Sequence, residues 1–466
     1  MIPMKVDEIA HAAGASLLLA GSMPSRPVSL VATDTRSPVK HALFIALKGE
    51  RFDAHDFLES AIEKGAAALL VARIPPRALE LARGKGTAVL RARGTMAAMT
   101  RLASRQRELT GARVVGITGS TGKTLTKDFA TAILGRTGTT VASRGSFNNE
   151  VGVPLTMLEV VSDTDFLVLE MGSRGMGHIR ELCAFARPEI GVVTNVGWTH
   201  MRYFRTRENL ARAKGELLQS LPREGMAVIN ADDDYADLLR GLSPCPVITF
   251  GRSRTADVWA EDERVDKYGK VVFTLRSKGG GRKKIAVPLP GRHNVDNALA
   301  AAAVGEIMGV DMENIAKGIA TAETTQWRME MINKPEEITI INDAYNANPV
   351  SMRSALVALG DISREKRAIA VLGDMGELGP VSEEAHVEVG KLAVDFGTDI
   401  LITVGRKSRK TAQAAREKGL PRGSIFTADS VDKAAEILRA IIEPGDVVLI
   451  KGSRFLGLER LVNLVA

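Results

Sequence analysis

Cysteine is nearly absent from this 466-residue chain, which has only Cys183 and Cys245. The two stand far apart and fit no metal-ligand spacing. A disulfide framework and a cysteine zinc site are therefore excluded, and a reducing compartment fits best. Aromatic residues make up 4%, so the cores must be built from Ala, Val, Ile and Leu. No apolar run approaches the ~20 residues needed to cross a bilayer. Neither sign of charge dominates, since 62 Lys and Arg stand against 55 Asp and Glu, a net +7. What is present is 45% hydrophobic and 25% charged, the balance of a globular chain rather than a disordered or collagen-like one. The length argues for two to four domains.

The opening residues carry one Lys, Lys5, against Asp7 and Glu8, a poor match to a signal peptide. The short apolar patch at 15–20 is read instead as a first helix packed on a core. The densest basic cluster is Arg276, Lys278, Arg282, Lys283 and Lys284, set between strand-like runs at 270–275 and 285–289. It reads as a solvated hairpin tip. No aromatic residue is interleaved for base stacking, so no nucleic-acid partner is expected. An anionic small substrate accounts equally well for the mild basicity.

Apolar β-rich runs alternate with helical patterns, the signature of an α/β chain. Strands are expected at 28–32, 42–47, 66–72 and 87–90, with helices at 57–64 and 95–109. A second domain opens with a strand at 113–118 and a helix at 125–134, followed by strands at 166–169, 191–195 and 227–230. After an Ala-rich helix at 294–308, a boundary is expected near 321–326. A third group follows, with strands at 338–341, 368–372, 400–404 and 447–450 and helices at 383–396 and 431–441.

Gly116-Ile117-Thr118-Gly119-Ser120-Thr121-Gly122-Lys123-Thr124 is the strongest local signal. It lies between a strand and a helix, where a phosphate loop belongs. The glycines let successive N–H groups turn toward phosphate oxygens, and the helix adds the positive end of its dipole. Lys123 would reach the β- and γ-phosphates, and the Thr124 hydroxyl would bind Mg²⁺. The strict pattern asks for Gly where Ile117 stands. Glu170 closes an apolar strand, the place for a metal-binding acid. His200, Lys214 and the adjacent Asn148 and Asn149 have ordinary readings as surface or turn residues.

Taken together, these residues resemble the Mur ligase family, ATP-dependent amide-forming enzymes of bacterial cell-wall precursor synthesis. The resemblance runs over nearly the whole chain. Thr118 to Thr124 match the family's phosphate loop, and Asn148-Asn149 with Val153-Pro154-Leu155-Thr156 match the segment after it. By resemblance, Glu170, His200 and Lys214 stand for two magnesium ligands and a lysine carbamylated by CO₂. His293, Asn294 and Asn297 resemble the adenine-side segment. Arg328 and Asp343 resemble the third domain's contributions to the γ-phosphate and the ribose. The segments Asn342-Asp343-Ala344-Tyr345-Asn346-Ala347-Asn348-Pro349 and Gly373-Asp374-Met375-Gly376-Glu377-Leu378-Gly379 point, within the family, to the activity that joins D-alanyl-D-alanine to a UDP-N-acetylmuramoyl-tripeptide. Asp34-Thr35-Arg36 and Phe52-Asp53-Ala54-His55 agree with a UDP-substrate domain.

The resemblance implies an α/β chain of three domains. Residues 1–110 would bind the UDP substrate. Residues 111–323 would form a central parallel-sheet ATP-binding domain. Residues 324–466 would form a Rossmann-like domain that closes on ATP and binds the dipeptide. The implied catalytic residues are Lys123, Lys214, His200 and Arg328. ATP would meet Thr118, Gly119, Ser120, Thr121, Gly122, Lys123, Thr124, Asn148, Asn149, His293, Asn294, Asn297, Arg328 and Asp343. Two Mg²⁺ ions would use Thr124, Glu170, His200 and carbamylated Lys214. Substrates would meet Asp34, Thr35, Arg36, Tyr345, Asn346, Asn348, Lys451 and Ser453. A cytoplasmic bacterial monomer without membrane insertion is expected.

Departures from the family pattern are Asn342 for a second Asp, Trp198 and Thr199 before His200, His178 after Gly177, and Ser120 for Thr. Three rivals remain: another Mur-type or folylpolyglutamate-type ligase with a different amine acceptor, a P-loop ATPase acting on nucleic acid, and a non-catalytic nucleotide-binding scaffold.

Overall fold

Short, almost wholly apolar runs make poor surface strands and good interior ones, because parallel strands are covered on both faces. In a computed structural model that describes residues 1–22, 27–50, 52–266, 269–334 and 337–465, these runs build three sheets. The chain divides into two compact units. One comprises Met1–Gly116, Gly138–Gly172 and Ile179–Glu189, and the other Ile117–Thr137, Ser173–His178 and Ile190–Ala466.

The first unit holds a five-stranded sheet of β1 (Ser16–Leu19), β2 (Leu30–Ala32), β3 (Ala42–Ile45), β4 (Ala68–Val71) and β5 (Ala88–Arg91), in the order β1-β5-β4-β3-β2. Only β1 is antiparallel to its neighbour. Phe44, Leu58, Ile62, Leu69 and Val89 fill the core on one face. The patch at 15–20 is therefore not the helix expected. The first helix is Val6–Ala13, and Ser16–Leu19 pairs along β5, with Leu17 and Leu18 45% and 41% exposed. Gly14, in the left-handed conformation, ends the helix just before the patch and turns the chain into the strand.

A nine-stranded sheet contributes to both units. β6 (Arg113–Thr118) runs through the division. In the first unit, β7 (Thr140–Ala142) pairs in parallel with β8 (Phe166–Glu170). In the second unit, β9 (Ile190–Val193), β10 (Met226–Asn230), β11 (Val247–Gly251) and β12 (Val258–Val265) are parallel. β13 (Lys270–Ser277) and β14 (Arg282–Pro290) extend them as an antiparallel hairpin. The basic cluster sits on this hairpin, where Arg276 pairs with Glu261 at 3.0 Å, Lys278 with Asp257 at 2.8 Å, and Lys283 with Glu313.

The third sheet, also in the second unit, contains β15 (Glu330–Asn333), β16 (Thr339–Asp343), β17 (Ala368–Gly373), β18 (Ile400–Val404), β19 (Ile425–Ala428) and β20 (Val447–Lys451). Their order is β15-β16-β20-β17-β18-β19. Apolar clusters cover both faces. The connection from β16 to β17 passes over β20, so the order reverses there, and in such sheets ligands bind at the carboxyl ends beside the reversal. Asp343 ends β16, Lys451 ends β20 and Asp374 follows β17. The edge strands β15 and β19 were not legible as strands because both are half-exposed and carry no continuous apolar run.

Candidate active site

β6 ends at Thr118, and the helix Lys123–Leu134 begins two residues earlier than its apolar pattern suggests, so Lys123 and Thr124 form its first turn. Gly119 has φ 149° and Gly122 φ 78°. A Cβ on Gly119 would lie 1.8 Å from Thr194 Oγ1, and one on Gly122 2.1 Å from Asn297 Oδ1. Only glycine fits at either position. Ile117, the departure from the strict pattern, is a buried strand residue, because the turn does not start until Gly119.

The loop is braced from the end of β9. The Thr121 N–H donates to Asn195 Oδ1 at 3.0 Å, Asn195 Nδ2 donates back to the Thr121 carbonyl at 3.1 Å, and Thr194 Oγ1 donates to the same carbonyl at 2.6 Å. The Gly197 N–H donates to Ser120 Oγ at 2.9 Å. The Lys123 ammonium folds over the loop and donates to the Gly119 carbonyl at 2.8 Å. Thr124 is buried beneath it.

Asn294 and Asn297 meet the loop as buried braces. Asn294 Nδ2 donates to the Pro290 carbonyl at 2.7 Å, and Asn297 Nδ2 to Asn294 Oδ1 at 3.3 Å. They seat the helix Asn294–Ile307 against Gly122. His293 stands just before that helix without a side-chain bond to it, and desolvation pushes its imidazole pKa down to about 4.

In the first unit, Glu170 is 1% exposed. Its Oε1 accepts from Asn148 Nδ2 at 2.7 Å, while Oε2 has no hydrogen-bond partner among the described residues. A buried carboxylate oxygen left without a donor is costly, and a hard cation is the partner it lacks. A carboxylate oxygen is a donor that a divalent ion takes, and in the second unit the Thr124 hydroxyl and the His200 imidazole are, each by itself, donors of that kind. Asn149 serves differently: its Oδ1 accepts from the Gly152 N–H at 3.0 Å and starts the helix Gly152–Met157.

In the second unit, Lys214 is 1% exposed on the helix Arg207–Gln219, so it is not a solvated surface lysine. Its ammonium donates to Ser173 Oγ at 3.3 Å. His200 has φ 55°, and its Nδ1 lies 2.5 Å from Glu377 Oε2. Burial lowers the His200 pKa, with Lys214 and Lys123 nearby acting the same way and Glu377 opposing.

On the third sheet, Lys451 is buried and donates to Asp343 Oδ2 at 2.5 Å and to the Asn346 carbonyl at 3.0 Å. Asp343 Oδ1 accepts from the Met329 N–H at 3.2 Å. Arg328 lies over the Tyr345 ring at 4.1 Å, and its Nε is buried without a hydrogen-bond partner among the described residues. Trp327 and Met329 on either side of it both adopt positive φ, strain of the kind that collects at functional sites. Asn346 is exposed. Asn348 caps the helix Pro349–Ser363 through Ser351, and Ser453 Oγ accepts from the Gly376 N–H at 2.8 Å.

His386 was missed by sequence reasoning because a lone histidine in a helical pattern carries no signal. It is buried on the helix Ser382–Asp395. Nε2 accepts from the Met375 N–H at 3.0 Å, and Nδ1 donates to the Ser382 carbonyl at 2.6 Å. Burial lowers its pKa below the ordinary 6.5. As pH falls below that value, the unfolded chain takes up a proton that the folded chain refuses. Stability then drops by up to about 1.4 kcal/mol per pH unit until the folded value is reached. In urea unfolding between about pH 7.5 and 5, His386→Gln should flatten this slope. An unchanged slope would refute it.

In the first unit, Asp34 holds the Arg36 guanidinium (Nε to Oδ2 2.9 Å), which lowers its carboxyl to about 2. The Thr35 carbonyl accepts from Lys64 at 2.6 Å. His55 bridges Asp53 Oδ1 at 2.6 Å and the Ala72 N–H at 3.0 Å. Thr194, Asn195 and Glu377 were also passed over. Each stands in a segment whose sequence stood out, and each is a polar residue just beyond a buried strand or in a Gly-rich loop.

Residues 117–305 match the Mur ligase middle domain, and residues 327–454 the Mur ligase glutamate ligase domain. The chain is 37% identical to the UDP-N-acetylmuramoyl-tripeptide–D-alanyl-D-alanine ligase of Mycobacterium tuberculosis, covering 98% of this chain and 96% of that protein. Its fold is similar to that of MurF from Acinetobacter baumannii, with a TM-score of 0.85, 28% identity and 99% and 98% of the two chains covered. It is also similar to the MurF ligase from Thermotoga maritima in complex with ADP, with a TM-score of 0.77, 26% identity and 94% and 97% covered. With both of these family domains matched and 37% identity over 98% of its length, the chain belongs to the Mur ligase family.

Proposed function

We propose that this chain adds D-alanyl-D-alanine to UDP-N-acetylmuramoyl-tripeptide at the expense of ATP, giving the pentapeptide precursor of peptidoglycan. The chain is an ATP-dependent ligase that forms a C–N bond. The observation that carries this is the braced loop, which presents Lys123 and the start of a helix to a triphosphate.

A carboxylate does not acylate an amine at neutral pH. The γ-phosphoryl group passes from ATP to the terminal carboxylate of the peptide, leaving ADP and an acyl phosphate. The dipeptide amine attacks the acyl carbon, the C–O bond to phosphate breaks, and phosphate leaves. Lys123 and Arg328 stabilise the charge on the transferring oxygens. Thr124, Glu170, His200 and a carbamylated Lys214 would hold magnesium, which supplies further positive charge when bound. Asp343, which accepts from Lys451, would serve the ribose. Asp34, Thr35 and Arg36 would serve the UDP end, and Tyr345, Asn346, Asn348 and Ser453 the dipeptide end. The three-domain division at 1–110, 111–323 and 324–466, a monomeric working unit and a cytoplasmic location complete the proposal. No helix among the described residues is long and apolar enough to cross a membrane.

The test is ATP turnover with UDP-N-acetylmuramoyl-tripeptide, with and without D-alanyl-D-alanine. Phosphate release should require both, and lysine, glutamate or diaminopimelate should not replace the dipeptide. ATP hydrolysis stimulated by DNA or RNA alone would refute it.

A further inference from the structure

The loop after β17 is held at nearly every residue. The Asp374 N–H donates to the Val404 carbonyl at 3.1 Å, and Asp374 Oδ1 accepts from the Ser408 N–H at 2.7 Å. His386 takes the Met375 N–H, Ser453 takes the Gly376 N–H, and Leu378 is buried. Between these fixed points stands Glu377, with φ 59°. A non-glycine residue in this region is strained and persists only where its surroundings impose it.

What the strain secures is the position of one carboxylate. Glu377 Oε2 lies 2.5 Å from His200 Nδ1, Oε1 lies 4.0 Å from Arg174 Nε, and the Glu377 carbonyl accepts from the Arg202 N–H at 3.3 Å. His200 belongs to the loop after β9, on the central sheet, while Glu377 belongs to the third sheet. The two elements meet closely: a Cβ on Gly379 would lie 3.1 Å from Arg202 Cα, and one on Gly197 3.1 Å from Val350 Cγ2. His200 itself stands in the left-handed region, a strained backbone for a residue other than glycine.

We propose that Glu377 is a positioning residue for His200: docking of the third sheet brings its carboxylate onto Nδ1, which places the proton there and commits Nε2 to the metal. A histidine that binds a metal through one nitrogen is ordinarily oriented by a hydrogen bond from the other. Here that bond comes from a different sheet, so the ligand is set only when the two sheets are together. Metal capture is thereby coupled to assembly of the site. The inference rests on the assignment of His200 as a magnesium ligand.

The test uses Mn²⁺ as the probe. Free Mn²⁺ is counted by electron paramagnetic resonance in the presence of ADP and the full-length protein, for the parent, Glu377→Ala, Glu377→Gln and His200→Ala. Glu377→Ala should weaken Mn²⁺ binding by about 10- to 100-fold. Glu377→Gln should weaken it less, because its amide oxygen still accepts from Nδ1–H. In turnover, the Mg²⁺ concentration for half-maximal rate should rise more than kcat falls. If His200→Ala loses Mn²⁺ and Glu377→Ala stays within twofold of the parent, the proposal is overturned. If neither variant changes Mn²⁺ binding, the magnesium assignment falls and the proposal with it. Should Glu377→Ala not fold, Glu377→Leu, which fills the space but offers no acceptor to Nδ1–H, carries the test, and parental Mn²⁺ affinity together with a parental Mg²⁺ requirement overturns the proposal.

Discussion

Lys123→Ala should cut turnover by about a hundred- to a thousandfold while leaving the fold intact. The lysine sits in the first turn of the helix Lys123–Leu134, and its ammonium donates to the Gly119 carbonyl at 2.8 Å. Losing that bond from a partly exposed loop costs about 1 kcal/mol. The larger effect falls on the transferring phosphoryl group, where negative charge develops and one aimed cationic donor contributes about 3–4 kcal/mol. The loss should therefore appear in kcat, with unfolding midpoints near those of the parent. Turnover within tenfold of the parent would remove Lys123 from the chemistry.

Lys214→Ala carries the second large effect. A lysine 1% exposed on a helix is expensive to keep charged, and conversion to a carbamate makes it an anionic oxygen donor. Loss of such a donor should cost several kcal/mol of transition-state stabilisation, a hundredfold or more in rate. Small carboxylates such as formate or acetate should restore part of it. Lys214→Arg, which keeps the charge but offers no oxygen, should not be rescued by its own side chain. Full activity of Lys214→Ala without added carboxylate would sink the role, and a carbamate carbon signal from ¹³C-bicarbonate in the parent alone would support it.

Much of the scaffold was legible because parallel strands buried on both faces leave continuous apolar runs. Arg113–Thr118 and Ile400–Val404, and the helices Thr95–Leu109 and Val431–Ile441, fall where their patterns end. The patch at 15–20 misled because three consecutive leucines satisfy a helix as well as a strand. The deciding influence, pairing along β5, comes from residues some seventy positions away. The strand expected at 191–195 stops at Val193, which releases Thr194 and Asn195 to brace the loop.

The site was legible where one segment carries the chemistry, as in the phosphate loop. It was opaque where two distant segments share it. Nothing near His200 in the sequence announces Glu377, and nothing near Asp343 announces that Lys451 is its partner rather than a free cation facing substrate. Asn294, Asn297 and Asn348 were singled out as ligand-binding amides. In the structure each also makes an internal bond, to the Pro290 carbonyl, to Asn294 and to Ser351 respectively, which nothing near them in the sequence announces.

The scarcity of aromatic side chains has a practical side. Of the three tryptophans, Trp198 precedes His200 by two residues and Trp327 immediately precedes Arg328. Trp198 faces the Arg207 guanidinium at 5.7 Å and Trp327 that of Arg454 at 4.4 Å. Emission from the indoles is sensitive to a neighbouring charge, and only Trp259 lies elsewhere, on β12. Nucleotide binding should therefore change the indole emission, an expected signal that a stopped-flow instrument can read without any attached dye.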